Sequence, residues 1–315
     1  MFSDRMRAGP EMAQGTLTDI LGLGSVAVDD LIYVESYPPA DAKVRVLDRE
    51  RQCGGLTATA LVAAANLGCH CSYAGVTGTD EASEFALASL ARAGVAVDLA
   101  SRRPGARVFH STIIVDQAGR RTLLCDGRDV QGAAADWPEE DVIRSCRVLF
   151  VDHVGMAGMV RAARIAFAAG VPIVADIERA ECEHFEELMN LSGHVIVPEE
   201  FAFGVTGRKD PGEAAAALRR RDGQVVVVTC GERGAWYAEQ GGKPAHQEAY
   251  RVRVVDTTGC GDVFHGAYAA GLVMGLDTAG RVRLASAAAA LKATRRGGQA
   301  GCPTLSETQL LAFSY

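Results

Sequence analysis

The sequence lacks the features that mark three common classes: membrane proteins, nucleic-acid-binding proteins and secreted proteins. No apolar run approaches the roughly 20 residues that span a bilayer, so we expect no membrane partner. Positive charge is not in excess, because 32 Lys and Arg face 39 Asp and Glu, and a net charge of −7 argues against nucleic acid as a partner. The first residues lack the apolar segment of a secretory signal. We predict a disordered tail over 1–16 and one domain over 17–315.

Cysteine pairs at redox or zinc spacing are also missing. The chain has nine cysteines and no Cys-x-x-Cys, which fits a reducing compartment better than a disulfide framework and predicts a cytoplasmic protein. Cys69-His70-Cys71 has metal-ligand residue types, but no second Cys/His pair stands at zinc spacing. We therefore interpret this segment as a turn between a helix and a strand.

Short apolar runs alternate with alanine-rich stretches along most of the chain. Runs that are apolar on both faces are typical of buried parallel strands. The predicted strands are 17–24, 72–76, 147–151, 171–175, 194–198 and 224–229, and the predicted helices are 56–67, 81–93, 157–169, 211–221, 260–275 and 279–295. This alternation predicts an α/β fold with a doubly wound, mostly parallel sheet.

Two segments, residues 31–51 and 106–125, interrupt the alternation because they contain extended runs without a helix between them. A hairpin turn is predicted at Asp116-Gln117-Ala118-Gly119. We expect the two segments to form a small antiparallel sheet that acts as a lid over a site. Exposed lid edges favour pairing with a second copy, so we also expect a homodimer through the lid.

Gly22-Leu23-Gly24-Ser25-Val26-Ala27 matches a permissive dinucleotide fingerprint after a strand. The residues that follow are β-branched and end in Pro38-Pro39, so no helix N-terminus is available for a pyrophosphate. A dehydrogenase is therefore disfavoured, and a strand end that delivers Asp29 or Asp30 to a cleft is the better interpretation. By the same logic, Asp152, His153, Asp176 and Glu178 follow strands and are candidate substrate contacts.

The strongest motif is Asp256-Thr257-Thr258-Gly259-Cys260-Gly261-Asp262. We expect a strand over Tyr250–Val255, a glycine-rich turn and then a helix that begins at Asp262. Glycines and a helix N-terminus turn N–H groups toward an anion. Asp262 could simply cap the helix. A carboxylate base beside an anion site is, however, what phosphoryl transfer to a hydroxyl requires.

These residues resemble the C-terminal signature of the pfkB, or ribokinase-like, carbohydrate kinases. Cys53–Ala60 with Asn66-Leu67-Gly68 is similar to the N-terminal signature, and Thr229-Cys230-Gly231-Glu232-Arg233-Gly234 to the nucleotide loop. The resemblance covers about residues 18–305, and we expect ketohexokinase-like and sulfofructose kinase-like members to be near relatives. The missing Walker A motif fits, since the family does not use one.

The resemblance implies an ATP- and Mg²⁺-dependent sugar kinase and allows a K⁺ ion. It places the base at Asp262, the anion hole at Gly259, Cys260 and Gly261, and metal ligands at Glu199, Glu200, Asp256 and Thr258. It implies substrate contacts at Asp29, Gly54, Gly55 and Thr59, to which we add Lys43 and His110 from their places in the lid. It implies nucleotide contacts at Thr229, Gly231, Gly234, Gly261, Lys292 and Gly297.

Three features depart from the family pattern. Thr59 replaces a frequent Asn, and Glu199-Glu200 stand where Asn-x-x-Glu is expected. Cys125 and Gly155 occupy the positions of a sulfonate-binding Asn and Arg, which argues against sulfofructose. We predict transfer to a primary hydroxyl of a ketose. A nucleoside kinase and a non-catalytic sugar or nucleotide sensor remain the alternatives.

Overall fold

The chain folds into a large inner sheet and a smaller sheet that projects from it. The structure is a computed structural model that describes residues 18–118, 120–181 and 183–313, so the predicted tail over 1–16 lies outside the described residues. The strands are β1 (Ile20–Leu23), β2 (Ala27–Val34), β3 (Val46–Gly54), β4 (Cys71–Tyr73), β5 (Val76–Thr77), β6 (Val95–Ala96), β7 (Ser101–Arg102), β8 (Phe109–Val115), β9 (Arg121–Asp126), β10 (Val148–Val151), β11 (Ile173–Asp176), β12 (His194–Pro198), β13 (Val225–Thr229), β14 (Ala235–Ala238) and β15 (Ala245–Gln247).

Helices separate most strands of the inner sheet. They are α1 (Leu56–Asn66), α2 (Glu81–Arg92), α3 (Glu140–Ser145), α4 (Met156–Ala168), α5 (Phe185–Leu191), α6 (Glu199–Thr206), α7 (Pro211–Leu218), α8 (Cys260–Val273), α9 (Thr278–Ala293) and α10 (Leu305–Phe313). The carboxylates of Asp80, Asp210 and Asp277 each accept a hydrogen bond from the backbone N–H three residues on, which starts α2, α7 and α9.

The inner sheet has the order β15-β14-β13-β12-β11-β10-β1-β4-β6. Its pairings are parallel from β6 to β13, while β13–β14 and β14–β15 are antiparallel. Within β10, Phe150 packs into the core on one face, whereas Leu149 and Val151 pack on the other. The predicted doubly wound sheet with a core on each face is confirmed. Chain order reverses beside β1, which is where ligand crevices form in such sheets.

The smaller sheet has the order β3-β2-β8-β9 and is called the lid below. The predicted sheet at this place is confirmed, with two differences in detail. Its first strand begins at Ala27 rather than residue 31, and its central pair, β2–β8, is parallel, while β2–β3 and β8–β9 are antiparallel. The predicted turn between β8 and β9 is described except for Gly119, which lies outside the described residues.

Two local expectations around the C-terminal motif were wrong. Residues 250–255 form no strand, because this segment lies outside the sheet with Val254 and Val255 exposed. The helix begins at Cys260, which agrees with the predicted helix 260–275 but not with a start at Asp262, because Gly259 adopts a left-handed conformation (φ 75°) and serves as its N-cap. Asp262 therefore lies in the first turn of α8 and does not cap it. No helix in the described part of the chain is long and apolar enough to cross a membrane.

Candidate active site

A cavity of about 330 Å³ lies between the lid and the carboxyl ends of β1, β10 and β11. This size is within the range of small-molecule sites. The cavity brings together residues that are far apart in sequence: Asp29, Gly54, Gly55, Thr59, Thr258, Gly259 and Asp262. Thr258 is a predicted metal ligand and the others are predicted substrate, anion-hole and base residues, so the sequence motifs converge on one place.

The N-terminus of α8 forms one end of the cavity. Its first-turn N–H groups have no partner inside the helix and can bind an anion. The Cys260 N–H is the exception, because it donates to the Thr257 carbonyl at 3.2 Å. Cys260 therefore does not supply the predicted anion contact, which is left to Gly261 and the N–H after it. Gly261 is exposed, and its missing side chain leaves open space there.

Asp262 faces the cavity from the first turn of α8. Burial raises the pKa of its carboxyl well above the ordinary value, and Asp176, Glu178 and Asp152 add to the rise. His265 acts in the opposite direction. A carboxylate with a raised pKa is a stronger base than an ordinary aspartate, which suits it to take a proton from a hydroxyl.

His265 lies behind Asp262, one turn further along α8. Its Nδ1 is 2.7 Å from the Gly261 carbonyl oxygen, and its Nε2 is 3.1 Å from the Ile196 carbonyl oxygen. The same Nε2 lies 3.4 Å from Asp176 Oδ1. Each ring nitrogen therefore lies within hydrogen-bond distance of a backbone carbonyl oxygen. No sequence signal distinguished His265 from the other positions of the helix.

Asp29 projects into the cavity from the lid end. Burial raises the pKa of its carboxyl, while a hydrogen bond with Ser111 lowers it. Gly54 and Gly55 lie beside it, and a Cβ on Gly54 would come within 2.9 Å of Asp29 Oδ2. Thr59 is buried, and its hydroxyl accepts a hydrogen bond from Gln299 at 3.4 Å. Asp29 and Thr59 therefore bring a carboxylate and a hydroxyl to the cavity wall.

His110 and Lys43 do not take the predicted substrate positions. Side chains alternate along β8, so Phe109 and Ser111 line the cavity while His110 points to the opposite face of the lid. There His110 Nε2 lies 2.7 Å from Asp30, which is also paired with Arg51. Lys43 is exposed in the 35–45 loop and is not among the residues that line the cavity.

Lys292 does not take its predicted place as a nucleotide contact either. Its side chain is fully buried, and Nζ donates to the Asp256 carbonyl at 2.8 Å. Asp256 itself accepts hydrogen bonds from Thr258 N and Gly297 N, both at 2.9 Å. The predicted contacts Asp256, Thr258, Lys292 and Gly297 thus form one connected network beneath the anion site.

The predicted nucleotide loop follows β13. Thr229 ends that strand, and Gly231 and Gly234 have positive φ values of 57° and 85°. A Cβ on Gly234 would lie 2.0 Å from the Gln247 carbonyl oxygen, so the close approach of β15 requires glycine there. Arg233, in the same loop, forms an ion pair with Glu199. This pairing occupies the Glu199 carboxylate that we predicted as a metal ligand.

Glu200 and Glu178 fit Mg²⁺ better than Glu199 does. Both line a second, open cavity on the adjoining edge of the sheet, and Glu178 also lines the first cavity. Mg²⁺ in kinase sites is held by one or two carboxylates together with waters and substrate phosphates. In the described ranges no group of three or more His, Cys, Asp and Glu could hold a metal alone, Cys69-His70-Cys71 included. The residues present therefore fit Mg²⁺ that arrives with a nucleotide.

Asp152 has a structural part that the sequence did not reveal. It is fully buried, and Oδ2 accepts hydrogen bonds from Ser25 N at 2.7 Å and Thr57 Oγ1 at 2.9 Å. Sequence reasoning also missed Arg121 at the start of β9, which donates to the Thr258 hydroxyl at 2.6 Å. Its charge therefore lies against the loop that carries the predicted anion hole, residues 258–261, which is called the anion-hole loop below. The only sequence signal for this contact was the alternation of side chains along the strand.

The model of the pfkB family of carbohydrate kinases matches residues 18–305. The chain belongs to this family. This kinase is a phosphotransferase with an alcohol group as acceptor. A ribokinase of Staphylococcus aureus (strain COL) is 27% identical over 300 residues, which are 90% of this chain and 96% of that protein.

Two proteins of Arabidopsis thaliana are also similar to this kinase. Probable fructokinase-4 is 25% identical over 328 residues, which cover 95% of this chain and 98% of that protein. The solved structure of ribokinase complexed with ribose and ATP has a TM-score of 0.83 at 21% identity, with 95% of this chain and 100% of that chain covered. The latter similarity confirms the ribokinase-like fold.

Proposed function

We propose that this kinase transfers the γ-phosphoryl group of ATP to a primary hydroxyl of a ketose. The observation that carries the proposal is that Asp262 and Asp29 line one cavity from opposite ends. One carboxylate lies beside an anion-binding helix N-terminus, and the other lies in the lid. A sugar between them has one end held by the lid and a hydroxyl beside the base.

The residues suit a single in-line transfer. Asp262 accepts the hydroxyl proton, the hydroxyl oxygen bonds to the γ-phosphorus, and the bond from that phosphorus to the β,γ-bridging oxygen breaks. The N–H of Gly261 and the one that follows stabilise the charge on the transferred group. Glu200 and Glu178 would hold Mg²⁺, which neutralises phosphate charge. The lid excludes water, so that ATP is not hydrolysed.

ATP as phosphoryl donor is supported by the ribokinase structure that contains ATP. A ketose acceptor is supported by the fructokinase similarity and by Thr59, whose hydroxyl can bind a sugar oxygen. Sulfofructose is disfavoured, because Cys125 and Gly155 stand where a sulfonate-binding Asn and Arg are expected. Cys125 lines the cavity. Gly155 has a positive φ of 87°, and a Cβ there would lie only 2.2 Å from the Gln131 carbonyl oxygen. A nucleoside is the second candidate, favoured by the Phe109 ring in the cavity wall.

We further propose a cytoplasmic homodimer that pairs through the lid. Leu47, Leu123 and Leu124 are exposed on the two edge strands of the lid. Exposed apolar edge strands favour pairing with another chain. Sedimentation of the wild type and of Leu124→Lys should show a dimer and a shift toward monomer, respectively. Monomeric wild type at assay concentrations would overturn the dimer.

The test of function is an ADP-release assay with wild type and Asp262→Asn. The acceptor panel contains ketoses, aldopentoses, phosphosugars, sulfofructose and nucleosides. We expect ketose-dependent release by wild type and a rate lower by about 10²–10⁴ in the variant, the usual contribution of a general base. The variant should keep the wild-type ATP affinity and melt no lower than wild type, because it removes a carboxyl whose pKa burial raises.

Each other outcome separates the alternatives. A near wild-type rate for Asp262→Asn would remove Asp262 as the base. Faster phosphorylation of adenosine or inosine than of any sugar would make the protein a nucleoside kinase. Sugar-induced thermal shifts without ADP release would favour the sensor and overturn the proposal.

A further inference from the structure

A buried ammonium group lies directly beneath the anion-hole loop. Lys292, in the last turn of α9, has no exposed surface. Its Nζ donates to the Asp256 carbonyl at 2.8 Å and to the Arg295 carbonyl at 3.4 Å, and it lies 3.8 Å from Asp256 Oδ2. A buried charge is costly unless it is paired and hydrogen-bonded, and here both conditions are met.

The chain makes room for this side chain. Gly301 passes beside it, and a Cβ at that position would lie 3.1 Å from Lys292 Cε. An alanine there would force the lysine chain to shift by a few tenths of an ångström. The charge of Lys292 also helps to hold the pKa of Asp256 below its ordinary value, after the hydrogen bonds from Thr258 and Gly297.

Asp256 links Lys292 to two turns, one at Thr258 and one at Gly297. Its Oδ1 accepts from Thr258 N and its Oδ2 accepts from Gly297 N, both at 2.9 Å. The two turns touch, since a Cβ on Gly259 would lie 3.1 Å from Gly298 Cα. Gly259 is the N-cap of α8, so the network ends at the anion-binding helix N-terminus.

The family resemblance implied a K⁺ ion at the backbone around Asp256 and Thr258, and the residues of this chain do not fit one. A cation needs carbonyl oxygens, but the Asp256 carbonyl is already bound to an ammonium group. A second cation a few ångströms from Nζ would be repelled strongly in this buried setting. A positive charge already lies at this place, and the chain itself supplies it.

We propose that Lys292 is a built-in cation that positions the anion-hole loop, so that this kinase works without a monovalent metal ion. The proposal rests on the proposed function above for its kinetic test. Lys292 acts through Asp256 and the turns at Thr258 and Gly297, and it is a positioning residue rather than a catalytic one.

The first test needs no variant. Turnover of the wild type is compared in K⁺, Na⁺ and tetramethylammonium chloride at equal ionic strength. We expect the same rate in all three. Activation of the wild type by K⁺ over tetramethylammonium would overturn the proposal.

The second test removes the ammonium and offers a substitute. Lys292→Ala leaves a space for an ion, whereas Lys292→Met fills it with a neutral chain of similar length. In tetramethylammonium we expect both variants to lose about 10²-fold in turnover, the cost of a small misplacement at a catalytic site. K⁺ or NH₄⁺ should restore Lys292→Ala and leave Lys292→Met unchanged. Equal responses of the two variants to K⁺ would contradict the proposal.

Melting temperature gives a readout that does not depend on activity. K⁺ should raise the melting temperature of Lys292→Ala above its value in tetramethylammonium, while wild type and Lys292→Met stay constant. If no acceptor supports ADP release, the kinase proposal fails, but this comparison still tests the cation. If Lys292→Ala does not fold in either salt, the wild-type salt comparison decides.

Discussion

The Nδ1 atom of His265 lies 2.7 Å from the carbonyl oxygen of Gly261, so a side chain from the second turn of α8 holds the backbone of the first. Its other nitrogen, Nε2, lies near the Ile196 carbonyl and Asp176. His265 thus connects the anion-binding turn to β12 and to the end of β11. The site is supported from behind by a ring whose nitrogens are both engaged.

His265→Ala should lower kcat by about tenfold or more, because the first turn of α8 loses its support and the reacting groups shift. The sugar KM should change little, since His265 does not line the cavity. Steady-state kinetics on the variant check this. His70→Ala is the control, because His70 is exposed and pairs only with Asp19 among the described contacts. An unchanged kcat in His265→Ala would show that the ring is only a packing element.

The pH dependence of turnover should reflect Asp176 as well as Asp262. Asp176 is fully buried, and neither of its oxygens has a hydrogen-bond partner among the described residues. Burial raises the pKa of Asp176, and its charge helps to raise the pKa of Asp262. Asp176→Asn should therefore move the acid limb of the pH–rate profile to lower pH. An acid limb that stays in place would rule out this coupling.

The same substitution has a defined sign for stability. A carboxyl whose pKa is raised in the folded state destabilises that state as pH rises above the unfolded value, because only the unfolded chain ionises freely. Asp176→Asn should thus melt higher than wild type near neutral pH. The difference should disappear below the ordinary pKa of 3.8. Melting curves across pH test this, and a lower melting temperature at neutral pH would contradict it.

Asp29 and Asp30 are adjacent in β2 and provide a matched pair of variants. Asp29→Asn should lower kcat/KM for the sugar by about 10–100-fold, since a hydrogen bond to a charged group is worth about 1.5–3 kcal/mol. Asp30→Asn should leave kcat/KM unchanged, because Asp30 pairs with Arg51 and His110 on the other face of the lid. It should lower stability by at most about 1 kcal/mol, as for exposed ion pairs. Equal kinetic losses in the two variants would show that the faces are assigned wrongly.

Arg121 and Arg120 form a second neighbouring pair. Arg121 contacts Thr258 in the anion-hole loop, whereas Arg120 pairs with Asp116 in the lid turn. Arg121→Gln should reduce kcat by about tenfold or more, because Thr258 loses its partner and the reacting groups shift. Arg120→Gln should keep the wild-type kcat. Single-turnover rates distinguish the two, and equal effects would assign Arg121 to the lid surface only.

Gly55 and Gly68 both have positive φ values, 96° and 90°, but different surroundings. A Cβ on Gly55 would lie 2.6 Å from Val26 Cα, whereas one on Gly68 would meet nothing within 4 Å. Gly55→Ala should cost about 2–4 kcal/mol from strain and overpacking, and Gly68→Ala about 1–2 kcal/mol from strain alone. Denaturant unfolding measures both. Equal losses would show that the backbone around Val26 yields.

The sequence predicted the inner sheet well, because buried parallel strands are apolar on both faces. The bounds of β12 match the predicted strand 194–198. The motif around Asp262 could be recognised for a similar local reason, because its glycines and its carboxylate are neighbours in the sequence. Tyr250–Val255 was misread because β-branched residues favour a strand even where the fold provides no neighbouring strand.

Contacts between distant segments explain the other errors. Alternation along β8 separates His110 from Ser111, but the pattern does not say which face meets the cavity. Lys292 stands near the end of an alanine-rich helix, and only the tertiary packing of Asp256 and Gly301 against it shows that it is buried. In the sequence, Glu199 was as plausible a metal ligand as Glu200. Its ion pair with Arg233, 34 positions away, is visible only in the structure.

The hydrogen bonds of Asp152 to Ser25 and Thr57 have a mechanical consequence. Ser25 lies between β1 of the inner sheet and β2 of the lid, so the lid is clamped at its root. A sheet fastened there swings about that point rather than sliding over the cavity. Asp29 is four residues from the fulcrum, where a swing moves it least. A movement of the lid about this point would therefore displace its far edge, at β9, more than the Asp29 carboxylate.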